Sequence, residues 1–220
     1  MNRTLLLSLL WVAVLVSVQN ESARGDWPQL QGNAARSGNA PDVSLPGSLG
    51  LDAAIALTDG IYASPVVGDD TVYVIDGAGV VFAIDTKTHK VRWRFATQGG
   101  PGNCNNVAAP AIVGDYLHVG TTAGYYYVLN RNSGEVVTKI DCAEPIFSAP
   151  AVGEDRVYFA TLGAQVYAVE PTGKVVWKWD FVKEVIDFDG DRWSGEAWLA
   201  HKQERVTWRD HFVCSRDICL

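Results

Sequence analysis

Tyr62-Ala-Ser-Pro-Val-Val-Gly-Asp-Asp-Thr-Val-Tyr-Val74 returns as Val107-Ala-Ala-Pro-Ala-Ile-Val-Gly-Asp-Tyr-Leu-His-Val119 and as Phe147-Ser-Ala-Pro-Ala-Val-Gly-Glu-Asp-Arg-Val-Tyr-Phe159. Pro65, Pro110 and Pro150 mark the same point in each copy, 45 and then 40 residues apart. Each copy continues alike, as Val80-Val-Phe-Ala-Ile-Asp85, Tyr125-Tyr-Tyr-Val-Leu-Asn130 and Gln165-Val-Tyr-Ala-Val-Glu170. Each closes on a short apolar piece: Val91-Arg-Trp93, Val136-Val-Thr138 and Val175-Val-Trp177. One unit therefore holds four short runs of β-branched and aromatic residues, the composition of strands.

Turn residues separate the runs: Gly68-Asp69-Asp70, Asp76-Gly77-Ala78-Gly79, Asn132-Ser133-Gly134 and Pro171-Thr172-Gly173. A helical repeat of this length would need long stretches of 3.6-residue periodicity, and these windows lack them. The proline suits a strand start, where no ladder donor is required. Four strands in about 40 to 45 residues is the size of a propeller blade. The expected fold is all-β: a β-propeller of four-stranded blades, with about three complete blades and the start of a fourth, hence an incomplete ring. The boundaries read as a signal peptide over 1–23, an N-terminal segment over 24–60, and blades over 61–105, 106–145 and 146–181. A non-repeat insertion follows over 182–211, with a short helix capped by Ser194 and running to about Gln203. Residues 212–220 read as the first strand of a further blade, because Ser215–Leu220 aligns loosely with Ser148–Gly153. On that reading the chain is a piece of a longer propeller, or another chain completes the ring.

The repeat resembles the pyrroloquinoline-quinone-repeat, or quinoprotein-like, β-propellers. Their blade motif is Ala-x-Asp, a glycine turn, then Trp. Ala83, Asp85 and Trp93 match it, with His89 at the glycine position; Ala168, Glu170, Gly173 and Trp177 match with Glu for Asp. The middle copy keeps Asn130 and Gly134 but carries Thr138 in place of Trp. The resemblance implies that the Trp is a structural pin between blades. Asp26-Trp-Pro-Gln-Leu-Gln-Gly-Asn33 with Arg36-Ser-Gly38 is similar to the opening segment of such proteins. It also raises two functional classes: a periplasmic propeller that helps to assemble outer-membrane proteins, and quinone-dependent alcohol or sugar dehydrogenases. The former is lipid-anchored, and no Cys follows the apolar run here. The latter use larger rings, calcium and often adjacent cysteines, which this chain lacks.

Composition narrows the partners. The formal net charge of -7 over 220 residues disfavours nucleic acid, which requires clustered Lys and Arg. Arg3 followed by the uncharged run Leu5–Val18 reads as an export signal, being too short for a span of about 20 residues. The expected location is periplasmic or extracellular, the alternative an uncleaved N-terminal membrane anchor. In an exported chain Cys104, Cys142, Cys214 and Cys219 permit two disulfides in three pairings. Cys104 and Cys142 precede successive repeats, which could bring them together.

Few residues suggest chemistry. Asp187, Asp189 and Asp191 alternate around Gly190 as a candidate calcium loop, although the spacing breaks the standard pattern and an acidic turn is the plainer reading. His211, Cys214 and Cys219 with His201 lack standard zinc spacing. His118, between apolar neighbours, reads as a packed strand histidine. Gly99–Asn106 is glycine-rich but lacks the Lys-Ser/Thr ending of a phosphate loop, so it reads as an inter-blade loop at the channel mouth. No catalytic residues converge. The expectation is a non-catalytic module binding protein, peptide or glycan on a propeller rim, with no cofactor; the alternative is a piece of a quinone-dependent dehydrogenase carrying pyrroloquinoline quinone and calcium.

Overall fold

The computed structural model describes residues 26–41, 47–48 and 50–190. It contains three antiparallel four-stranded meanders. The first comprises β1 (Val66–Gly68), β2 (Thr71–Ile75), β3 (Val80–Asp85) and β4 (Val91–Ala96). The second comprises β5 (Ala111–Val113), β6 (Tyr116–Gly120), β7 (Tyr125–Asn130) and β8 (Val136–Asp141). The third comprises β9 (Ala151–Val152), β10 (Val157–Ala160), β11 (Gln165–Val169) and β12 (Val175–Asp180). Pro65, Pro110 and Pro150 each stand immediately before the first strand of a sheet. A short helix, α1 (Phe181–Glu184), follows, capped by the Asp180 carboxylate, which accepts from Lys183 N at 3.1 Å. The helix expected after Ser194, the fourth-blade strand over 212–220 and the signal sequence lie outside the described residues.

Strand alternation gives each sheet two apolar faces, and adjacent sheets bury them against each other. Tyr73, Ile75, Val81 and Ala83 of blade one pack on Ile112, Leu117, Val119, Tyr127 and Leu129 of blade two. Tyr126 and Val128, from the far face of blade two, pack on Val157, Phe159, Tyr167 and Val169 of blade three. Tyr126 stacks on Phe159 at 3.7 Å, and Phe159 on Tyr167 at 4.8 Å.

The first residue of the motif turn closes that turn in two copies, while Glu170 of the third pairs with Lys174 at 3.3 Å. Asp85 accepts backbone N–H bonds from Lys87 and Thr88, and Asn130 does the same for Asn132 and Ser133, so this residue closes the β3–β4 type of turn. The Arg92 guanidinium beside Asp85 holds its carboxyl well below the usual carboxylate range. A bulge follows the motif alanine position in all three sheets, after Ala83, Val128 and Ala168. Directly opposite stand Trp93, Thr138 and Trp177. Volume is exchanged across this pair: a small Ala faces Trp, and the larger Val faces Thr.

The N-terminal segment ties the innermost strands together. Trp27 exchanges two backbone bonds with Val67 of β1, at 2.8 and 3.0 Å. The Pro28 carbonyl accepts from Ile112 N of β5 at 2.7 Å, and the buried Gln29 side chain accepts from Val152 N of β9 at 3.2 Å. Arg36 donates to the Ala149 carbonyl at 3.2 Å. Inner strands of a propeller otherwise present unpaired edges to the axis. Gln29→Leu should leave Val152 N without an acceptor and cost about 1–2 kcal/mol. Hydrogen exchange checks this: the Val152 amide should lose protection while that of Ile112 keeps it.

Candidate functional site

Meander topology sends two classes of loop to each end of the sheets. One end carries the β2–β3 type of turn (Asp76–Gly79, Thr121–Gly124, Thr161–Ala164) together with the connections between blades. Beneath this rim, buried polar side chains fix each connection to a turn. Asp76 accepts from Val80 N at 2.9 Å, from Asp59 N at 3.1 Å and from the Thr58 hydroxyl. Asn106 donates to the Gly77 carbonyl of blade one at 3.1 Å and accepts from Thr122 N of blade two at 3.0 Å. Asn103 donates to the Thr97 hydroxyl at 2.8 Å. Glu144 accepts from the Thr161 hydroxyl and from Gln165 Nε2, the latter at 3.2 Å. Satisfied buried polar groups of this kind rigidify loops.

Above that layer the rim is apolar. Tyr62, Val107 and Phe147 occupy one position, three residues before the proline of each blade, and are 59%, 40% and 43% exposed. Ile61 and Leu162 are exposed at the same end. Three apolar side chains thus recur at one exposed position, on loops that buried polar groups hold in place. The sequence displayed these residues within the repeat. The repeat places them three residues before each proline, and only the folded turns show that they face solvent.

The other expected site residues disperse. Gly99–Asn106 contains a 3₁₀ turn over Gly100–Gly102; Asn103 and Asn106 are buried, and Asn106 ties blade one to blade two, while Asn105 is exposed. Cys104 and Cys142 are not joined: both are free, Cys104 exposed and Cys142 buried. Cys142 leaves β8 directly into the blade-three interface, whereas Cys104 rides on the longer loop. Burial pushes the Cys142 thiol up to about 11. Cys214 and Cys219 lie outside the described residues, as do His201, His211 and Asp191. Asp189 pairs with Lys183 at 3.2 Å, and Asp187 adopts a φ of 58°. No group of three or more His, Cys, Asp or Glu that could hold a metal occurs among the described residues. His118 is fully buried. Its Nε2–H donates to the Pro171 carbonyl at 3.0 Å, which leaves Nδ1 to accept from the Tyr126 hydroxyl at 3.0 Å. Burial lowers its pKa to about 4.

Three radial four-stranded meanders, sharing one turn motif and one Trp/Thr pin position, define a PQQ-type repeat β-propeller. The sequence profile of the family described as "Outer membrane protein assembly factor BamB" matches residues 53–146 and 127–193, more than half of the chain, and the chain belongs to that family. The outer membrane protein assembly factor BamB of Legionella pneumophila is 27% identical over 46% of this chain and 25% of its own length. The quinohemoprotein alcohol dehydrogenase of Comamonas testosteroni is 29% identical over 73% of this chain and 26% of its own length. The chain thus spans about a quarter of the curated relatives it matches. Among solved structures, the quinohemoprotein alcohol dehydrogenase ADHIIG from Pseudomonas putida superposes with a TM-score of 0.63 at 20% identity, over 81% of this chain and 29% of that one. The Comamonas testosteroni enzyme gives 0.56 at 24%, over 70% and 27%. These likenesses establish the propeller fold.

The dehydrogenase relatives bring a cofactor into question. Pyrroloquinoline quinone is a planar tricarboxylate, and its site needs converging cations and oxygen ligands for a metal. Here Arg92 pairs with Asp85, Arg131 with Asp69, and Lys139 with Gln98.

Proposed function

We infer that this chain is an exported binding module whose rim of blade connections receives a polypeptide. The observation that carries the reading is the exposed position shared by Tyr62, Val107 and Phe147, standing on loops fixed by Asp76, Asn106 and Glu144. A preorganised apolar rim binds without first ordering its loops, which lowers the cost of association. The assembly role in the name of the BamB relative agrees with a protein partner, and the apolar run after Arg3 agrees with export to the periplasm.

The test is a comparative pull-down from the cell envelope. Tyr62→Ser, Val107→Ser and Phe147→Ser combined should abolish capture of proteins retained by wild type and leave the melting temperature within a few degrees. Val136→Ser, on an outer strand, should capture them normally. Equal capture by all three chains contradicts the rim assignment.

A second reading rests on the longer match to quinohemoprotein alcohol dehydrogenase. It treats the chain as part of a dehydrogenase, with partner blades supplying the cofactor site. The test joins the chain to the remaining blades of the Comamonas testosteroni enzyme and reconstitutes it with pyrroloquinoline quinone and calcium: dye-linked alcohol oxidation would establish that reading, and a folded but inactive chimera would dismiss it.

A further inference from the structure

Among the described residues four tyrosines are buried: Tyr73, Tyr126, Tyr127 and Tyr167. Three of their hydroxyls meet partners that cannot take a proton. Tyr73 OH donates to the Arg131 carbonyl at 3.1 Å, Tyr167 OH donates to Gln165 Oε1 at 3.1 Å, and Tyr127 OH accepts from Gln98 N at 3.0 Å. Tyr126 differs. Its hydroxyl donates to His118 Nδ1 at 3.0 Å, and both residues are fully buried.

The other ring nitrogen fixes this arrangement. His118 Nε2–H is held by the Pro171 carbonyl at 3.0 Å, so Nδ1 turns its lone pair to the phenol. The same carbonyl also suits an imidazolium, in which Nε2–H is still a donor. Burial pushes the Tyr126 hydroxyl well above its ordinary value, so it keeps its proton as long as the ring keeps its electrons. Loss of one electron reverses this. A phenol radical cation is a strong acid, and in a dry interface the imidazole on its hydroxyl is the recipient at hand.

The electron has a route out. The Tyr126 ring stacks on Phe159 at 3.7 Å and 7°, and Phe159 stacks on Tyr167 at 4.8 Å and 4°. Three nearly parallel π systems thus run in series through the contact between blades two and three. The exposed Lys178 lies over the last of them, its Nζ 5.2 Å from the Tyr167 ring. That ammonium repels a positive charge on Tyr167, whereas His118 relieves an oxidised Tyr126 of its charge by accepting the proton. The oxidation therefore comes to rest on Tyr126.

We propose that Tyr126 and His118 form a proton-coupled redox site, reached through Phe159 and Tyr167 by a one-electron oxidant at the surface, a high-potential transition-metal complex. One electron leaves the Tyr126 ring and reduces the oxidant by one unit. The phenolic O–H bond breaks and an Nδ1–H bond forms, which gives a neutral tyrosyl radical beside an imidazolium. Return of one electron returns the proton to the oxygen. The site is separate from the apolar rim and does not depend on what the rim binds.

The test uses the full chain with flash-generated tris(bipyridyl)ruthenium(III), read by transient absorption and electron paramagnetic resonance. A long-lived tyrosyl radical should form in the wild type and be lost in Tyr126→Phe. His118→Gln, whose amide accepts a hydrogen bond but takes no proton, should form the radical about a hundredfold more slowly. Circular dichroism establishes that the variants compared are folded. The wild type alone gives an independent reading, because formation should slow in heavy water when proton and electron move together. The proposal is overturned if no long-lived tyrosyl radical forms in the wild type, or if one persists in folded Tyr126→Phe. Formation as fast in folded His118→Gln, or unchanged in heavy water, overturns it equally.

Discussion

Gly134→Ala should lower the unfolding free energy by about 3 kcal/mol. Two costs combine. Gly134 has a φ of 77°, where a Cβ costs about 1–2 kcal/mol. The added carbon would also stand 2.7 Å from the Trp93 ring, and overpacking of that kind costs about 1–3 kcal/mol. Gly114 separates the two. Its φ is 56°, but a Cβ there would meet nothing within 4 Å, so Gly114→Ala should show the backbone cost alone. Urea denaturation of the two variants measures the difference. A Gly134→Ala loss no larger than that of Gly114→Ala would show that the indole does not press on the turn.

His118 should make stability fall with acidification. The folded chain holds the imidazole neutral, with a pKa lowered to about 4, against about 6.5 for a solvated histidine. Between those values the unfolded chain binds a proton that the folded chain refuses, so unfolding gains as pH drops. The contribution is fully present above about pH 6.5, declines as pH falls toward 4, and is constant below. The total is on the order of 3 kcal/mol. His118→Phe should lose the bond to Pro171 and flatten this part of the profile. Unfolding free energies of both chains at pH 7 and pH 4.5 supply the measurement. Parallel pH profiles would mean that His118 takes its proton without disturbing the blade-two/blade-three contact.

The Arg92 pair behaves oppositely: Asp85 is held ionised, so its contribution persists above the usual carboxylate range and is lost only at strong acidity. Because that loss comes only at strong acidity, His118 at the blade interface and not the Arg92–Asp85 pair governs mild acid sensitivity.

The sequence alone determined the blades. Strand identity, the position of each proline and the turn chemistry around Asp85, Asn130, Gly134 and Gly173 are local properties, set by φ preferences and by side chains reaching two or three residues along the chain. The repeat made them legible three times over. The family followed from the same residues. Tertiary structure alone decided which apolar residues are core and which are rim, because Tyr62 and Tyr73 look alike in a hydrophobic pattern yet face solvent and blade two respectively. It also decided that Trp27–Gln29 crosses three inner strands, that Cys104 and Cys142 stand apart, and that Trp93 fastens blade one to the Arg131 carbonyl of blade two. Each of these depends on the distance between residues far apart in the chain, which follows from how sheets twist and stack rather than from any local preference.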